Sequence, residues 1–283
     1  GWNNVGVIGD NFEVLFSLIH GGLVSYKYSG VEMFKSIPKP NFWRAMTDND
    51  IANQLPFRAG QWKVASMYAS HKYEHGTKET FYQVKKKEDE LQVIYTYHLP
   101  TTPRSEAIVT YTVRPNGEVF VGLSMDASSA IGELPEISMM FSMDADYDHL
   151  LWYGLGPQET YADRCHAKLG IYENKVADNM AKYLVPQECG NKMDVRFATI
   201  TNRNDRGLLF KTNGLEFSAL PYAPQEMENA KHAFELPKVH YTYLRIGHQM
   251  GIAGDDTWGA LTHPEYMLDN SKPINLSFSF QGI

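Results

Sequence analysis

Two cysteines, Cys165 and Cys189, are all that 283 residues carry, too few for a disulfide framework. They leave pairing and free thiols both open, and no Cys/His spacing resembles a zinc site. Long apolar runs are also missing. None approaches the roughly 18–20 residues that cross a bilayer, and no signal peptide opens the chain. Positive charge is in short supply: 26 Lys and Arg stand against 33 Asp and Glu, a net charge of −7. That balance argues against nucleic acid and membrane as partners. The densest basic run, Lys85-Lys86-Lys87, passes at once into Glu88-Asp89-Glu90 and reads as a solvated hairpin tip. No repeat, low-complexity tract or linker divides the chain, so residues 1–283 are expected to form a single domain. The opening Gly1-Trp2-Asn3 has no initiator Met and reads as a trimmed or tagged start.

What remains is dominated by strand signals. Phe12 to Phe16 alternates with period two, His20-Gly21-Gly22 interrupts, and Leu23 to Tyr28 resumes. Further strands are expected over Thr80–Val84, Leu91–His98, Ala107–Arg114 and Val119–Met125, with Asn116-Gly117 turning the last pair. Leu208–Phe210 and Leu215–Phe217 read as a second hairpin around Thr212-Asn213-Gly214. Ile274 to Phe280 alternates again. Phe57 to Val64 admits a short helical stretch, and Pro224 to His232 carries the only good helix signal, with Pro at its first turn. Many short strands and almost no helix point to an all-β fold, a large antiparallel sandwich.

Three stretches concentrate chemistry. Met250 to Tyr266 holds Trp258 between glycines 251, 254 and 259, beside Asp255 and Asp256. An indole offers a broad apolar face and one N–H donor, which suits a sugar ring; it serves equally to plug the end of a sandwich. Asn41 to Asp50 packs Phe42, Trp43 and Arg44 against Asp48 and Asp50, either as an organised polar cluster or as an arginine paired with carboxylates and turn residues bonding their own backbone. Trp152 to Arg164 holds a Gly-x-Gly pair without a dinucleotide-binding context. Its Glu159 and Asp163 read as an acid/base pair or as turn anchors and partners of Arg164. His232, His240, His248 and His263 lack metal-site spacing, and no Gly-x-Ser-x-Gly elbow occurs.

Taken together, Phe42-Trp43-Arg44-Ala45-Met46-Thr47-Asp48-Asn49-Asp50, the stretch Gly154 to Arg164, Tyr183-Leu184-Val185-Pro186-Gln187-Glu188 and Gly251 to Trp258 resemble the C-terminal domain of the large bacterial β-galactosidases of glycoside hydrolase family 2. They lie in the family's order and span nearly the whole chain. The resemblance implies a β super-sandwich of galactose-mutarotase type. It implies that this chain alone is not catalytic, because the two catalytic glutamates and the Mg and Na ligands lie in other domains. Its partners would be those remaining β-galactosidase domains or a separate large subunit, with a β-galactoside such as lactose as substrate and a homo-oligomer as the complete enzyme, cytoplasmic or periplasmic in a bacterium. Trp258 matches the tryptophan that lines the substrate pocket of the family. Loop support would then fall to Asp255 and Asp256, with Arg44, Asp48, Asp50, Glu159, Asp163 and Arg164 behind them. Met46, Ala162 and Thr257 depart from the family's usual residues and bear on loop stiffness rather than chemistry. Two other functions compete: a stand-alone carbohydrate-binding module, and a mutarotase-like sugar epimerase, which would need a glutamate and histidines converging on an anomeric oxygen.

Overall fold

A computed structural model describes residues 3–71, 81–256 and 258–283. Thr80 and Thr257 therefore lie outside the described residues. The chain opens with a four-stranded antiparallel sheet, β1 (Asn4–Ile8), β2 (Phe12–Ser17), β3 (Gly22–Tyr28) and β4 (Val31–Glu32). After β5 (Lys39–Asn41) come three short helices, α1 (Asp48–Ala52), α2 (Leu55–Arg58) and α3 (Gly60–Tyr68). The remaining strands are β6 (Tyr82–Lys86), β7 (Leu91–Leu99), β8 (Ser105–Val113), β9 (Val119–Met125), β10 (Glu136–Asp144), β11 (His149–Gly156), β12 (Lys168–Lys175), β13 (Lys192–Thr201), β14 (Gly207–Leu220), β15 (Tyr241–Gln249) and β16 (Ile274–Gly282), with helix α4 (Pro224–Asn229) between β14 and β15. These strands and β5 form a 12-stranded sheet whose main path runs β12-β11-β13-β14-β16-β9-β8-β7-β6.

The sheet divides at β14. Its first half, Leu208–Thr212, pairs with β16, and its second half, Glu216–Leu220, pairs with β15, which leads on to β10 and β5. Here the expected hairpin over 208–217 is corrected: Thr212-Asn213-Gly214 does not reverse the chain but lies inside one 14-residue strand. Gly214 takes a positive φ of 83°, and the register against β13 slips twice between Lys192 and Phe197. A glycine in the left-handed region next to a register slip bends a strand without ending it, so the same dipeptide that closes a hairpin elsewhere redirects β14 to new partners. At Asn116-Gly117 the sequence turn does join β8 to β9 as expected. Lys85 to Glu90 is the exposed tip between β6 and β7.

Alternation in the sequence becomes the buried face directly. Every second residue of β7, from Leu91 to Leu99, is buried, as are alternate residues of β8 and β9. One core runs beneath both sheets: Tyr26 meets Phe280 edge-on at 5.1 Å between ring centres, Phe34 lies 5.2 Å from Phe141, and Phe210 lies 5.7 Å from Phe141. Tyr26 also donates to the Gly117 carbonyl and accepts from the Gly282 N–H, both at 2.9 Å, which ties the small sheet to the end of β16. The short helical stretch expected over Phe57–Val64 is present as α2 and α3, the helix expected over Pro224–His232 ends at Asn229, and α1 is a helix that the sequence signals did not indicate. Among the described residues no helix is long and apolar enough to cross a membrane. Both cysteines are free thiols, Cys165 exposed and Cys189 buried.

Candidate functional site

The stretches singled out in the sequence meet around residues 251–263. Arg44 is fully buried and ion-paired with Asp50 at 3.1 Å, and its guanidinium also donates to the Gly251 carbonyl at 3.1 Å. Three residues on, the hydroxyl of Thr47 donates to the Ile252 carbonyl at 3.2 Å. Thr47 also caps α1: its hydroxyl accepts from the Asp50 N–H while Asp50 accepts from the Thr47 N–H. Asp163, arriving from the loop after β11, accepts the Ala253 N–H at 2.8 Å. The tryptophan loop is thus gripped residue by residue at its root by two segments remote in sequence.

Asp48 and Asn49 do not bond their own backbone as turn residues, which corrects that expectation. Asp48 exchanges two hydrogen bonds with the side chain of Gln187, at 3.1 and 3.0 Å, drawing in the 183–188 stretch. Asn49, 4% exposed, donates to the Ala260 carbonyl at 2.8 Å and accepts the Gly259 N–H at 3.0 Å. The physical reason is the helix itself: once Thr47 starts α1, the side chains of its first turn are released toward neighbouring loops. Gly259, at φ 118°, lies against the backbone of Ala52, where a Cβ would stand 3.0 Å from the carbonyl carbon.

Within the loop, Asp256 accepts the Trp258 N–H at 2.8 Å and the Ala260 N–H at 3.1 Å, and these bonds hold its carboxyl below the usual carboxylate range. Asp255 pairs with His263 at 2.8 Å, linking the arms on either side of the tryptophan; this hydrogen bond raises the imidazole above its ordinary value. Trp258 itself is 88% exposed, so the alternative of a core plug fails. Ile51 on α1, Phe57 on α2 and Leu261 are exposed alongside these segments.

Glu159 and Asp163 do not act on a common point. Glu159 accepts from Tyr183 at 3.0 Å and from the Gly190 N–H at 2.6 Å, and is ion-paired with Arg164. It holds the 183–190 segment, whereas Asp163 holds the tryptophan loop. Sequence reasoning missed a buried charge cluster behind that segment. Arg245 on β15 is ion-paired with Glu136 on β10 and with Glu188 at 2.7 Å, and Gln249 reaches Glu188 at 3.4 Å. Burial pushes Glu136 up to about 7, against the pull of Arg245, with Glu188 adding to the rise. One guanidinium serves two carboxylates, and Glu136 holds its proton more tightly than an ordinary glutamate. Strand periodicity offered a partial signal, since Glu136 and Arg245 interrupt otherwise apolar stretches. Among the described residues, no group of three or more His, Cys, Asp and Glu is placed to hold a metal ion.

The family model described as "Beta galactosidase small chain" matches residues 8–281. A β-galactosidase of Halalkalibacterium halodurans is 39% identical over 99% of this chain, which spans 28% of that protein. One from Priestia megaterium is 40% identical over 98% of this chain and 26% of its own length. The chain therefore spans about a quarter of these relatives. The β-galactosidase small subunit of Latilactobacillus sakei is 31% identical over 97% of this chain and 94% of its own. Among solved structures, a galactose mutarotase related enzyme from Lactobacillus acidophilus superposes with a TM-score of 0.50 at 11% identity, covering 99% of this chain and 97% of that one. A protein assigned as an aldose 1-epimerase from Escherichia coli K12 also gives 0.50, at 9% identity, over 99% and 98% of the two chains. These likenesses establish the antiparallel, galactose-mutarotase-like fold.

Proposed function

The chain belongs to the β-galactosidase small-chain family, and from that premise we propose that it completes the active site of a β-galactosidase whose catalytic glutamates lie outside it. Trp258 supplies a platform for the galactosyl ring, and the rest of the enzyme supplies the acids. The observation that carries this reading is an exposed indole on a loop held by buried side chains. An aromatic with no core role is costly to hold rigid unless something docks on it. Ile51, Phe57 and Leu261, on or beside the elements that hold the loop, are exposed as well, which favours a covering partner. On this reading the partner is the remainder of the enzyme, joined in one chain or separate. Mg and Na, where the complete enzyme uses them, are held by residues of that remainder. The complete enzyme is a homo-oligomer.

Titration of a β-galactoside with tryptophan fluorescence as readout tests the proposal. The chain alone is expected to show no saturable change, and the assembled enzyme a saturable one. Saturable binding by the chain alone would make it a self-sufficient carbohydrate module and overturn the composite site.

A further inference from the structure

We infer that Asn49 is the positioning residue of Trp258: its amide reads the loop's backbone and sets where the indole points. The inference rests on the platform reading proposed above. Both ends of the amide are used, Nδ2 on the Ala260 carbonyl at 2.8 Å and Oδ1 on the Gly259 N–H at 3.0 Å. These are the peptide groups immediately beyond Trp258. A neutral amide offers a donor and an acceptor on adjacent atoms, so one Asn side chain bonds both the N–H of Gly259 and the carbonyl of the next residue, Ala260. The other bonds to the loop, from Arg44, Thr47 and Asp163, fall on residues 251–253, at its root. Asp256 reaches the tip but belongs to the loop and moves with it. Among the described residues, Asn49 therefore supplies the hydrogen bonds made from outside to the residues that follow the indole.

The anchor is itself held. Asn49 sits in the first turn of α1, between Asp48, locked to Gln187, and Asp50, locked to Arg44 and to the cap. At 4% exposure the amide has little freedom to rotate away. Gly259 lies on the backbone of Ala52, so the Asn49 bonds and this close approach fix the loop against one and the same helix.

The test is a double-mutant cycle in the assembled enzyme, joined to amide hydrogen exchange of the segment 258–262. Asn49→Ala removes both bonds. Asn49→Asp keeps the acceptor for Gly259, replaces the donor to Ala260 with a repelling oxygen, and places an acid in a helix first turn where it is favourable, so α1 is retained. Asn49→Ala is expected to speed exchange at Gly259 and Ala260, and Asn49→Asp, which keeps the Gly259 bond, to speed it at Ala260. Asn49→Ala is expected to raise KM for a β-galactoside by about tenfold, with kcat changed less than twofold. Placed on Trp258→Ala, the same change is expected to alter KM by less than twofold, because the group it positions is gone. An undiminished KM effect in the Trp258→Ala background, or unchanged exchange at 259–260, would overturn the inference. If Trp258→Ala alone left KM unchanged, the platform reading would fail; exchange at 259–260 would still decide whether Asn49 holds the loop.

Discussion

At the residue scale, buried side chains hold the backbone of the tryptophan loop on both sides of one exposed indole. The ion pair between Asp255 and His263 closes the loop across Trp258, and it titrates. Its hydrogen bond to Asp255 raises the folded-state value of His263 above that of a free imidazole. The stabilisation it brings to the loop is then fully present below the free value and is lost as pH rises through the folded one. The carboxylates near the imidazole are Asp255 and, at 3.9 Å, Glu265. Exchange of amides 258–263 is expected to quicken as pH rises above the free imidazole value of about 6.5, beyond the intrinsic base dependence, and Asp255→Asn is expected to abolish that excess. An excess that persists in the variant would place the pH dependence elsewhere.

Elements explain why those residues meet, and they also mark where the sequence ceased to be legible. In β7 the sequence alternation of residues 91–98 becomes period-two burial, and in β16 the alternation of 274–280 holds until Ser279, which is buried. β10 and β15 are buried at most positions and carry no such alternation. The four stretches around the tryptophan loop were legible as motifs. Their geometry was not, because hydrogen bonds between residues more than 200 positions apart, such as Asn49 to Ala260, leave no local pattern. Two local signals misled for one reason. Asn213-Gly214 and Asp48-Asn49 carry turn chemistry, but tertiary pairing used the first as a bend within β14 and the second as the first turn of α1. Because α1 is only five residues long, its cap carries much of its stability. Thr47→Ala is expected to cost about 1 kcal/mol in urea unfolding at unchanged m-value and to loosen residues 251–253 as well. A variant as stable as the parent would show that the cap is idle. At the other misread site, Gly214→Ala forces a Cβ onto positive φ and is expected to cost about 1–2 kcal/mol. No loss in the same unfolding assay would mean that β14 bends without it.

On the scale of the whole molecule, two layers share one aromatic core, and the buried cluster of Arg245, Glu136 and Glu188 joins β10, β15 and the segment before Gly190. Removing the cation would strand two buried carboxylates, so Arg245→Met is expected to cost about 3–5 kcal/mol. The cluster also gives the fold a pH dependence of definite sign. Glu136 titrates near 7 in the folded chain, mainly through burial, and near an ordinary glutamate value when unfolded. Its contribution is therefore fully present below the unfolded value and is lost as pH rises toward and through about 7. Urea midpoints are expected to fall over that interval in the parent and to flatten in Glu136→Gln; equal slopes would assign the dependence to other groups. On the proposed reading, that frame carries this chain's share of a composite site. Half an indole face covers about 80 Å² of apolar surface, worth about 2 kcal/mol or about 30-fold in affinity. The most direct measurement is the KM of the assembled enzyme for a β-galactoside after Trp258→Ala. The platform account predicts a rise of about 30-fold in a variant as stable as the parent, and an unchanged KM in such a variant would contradict it.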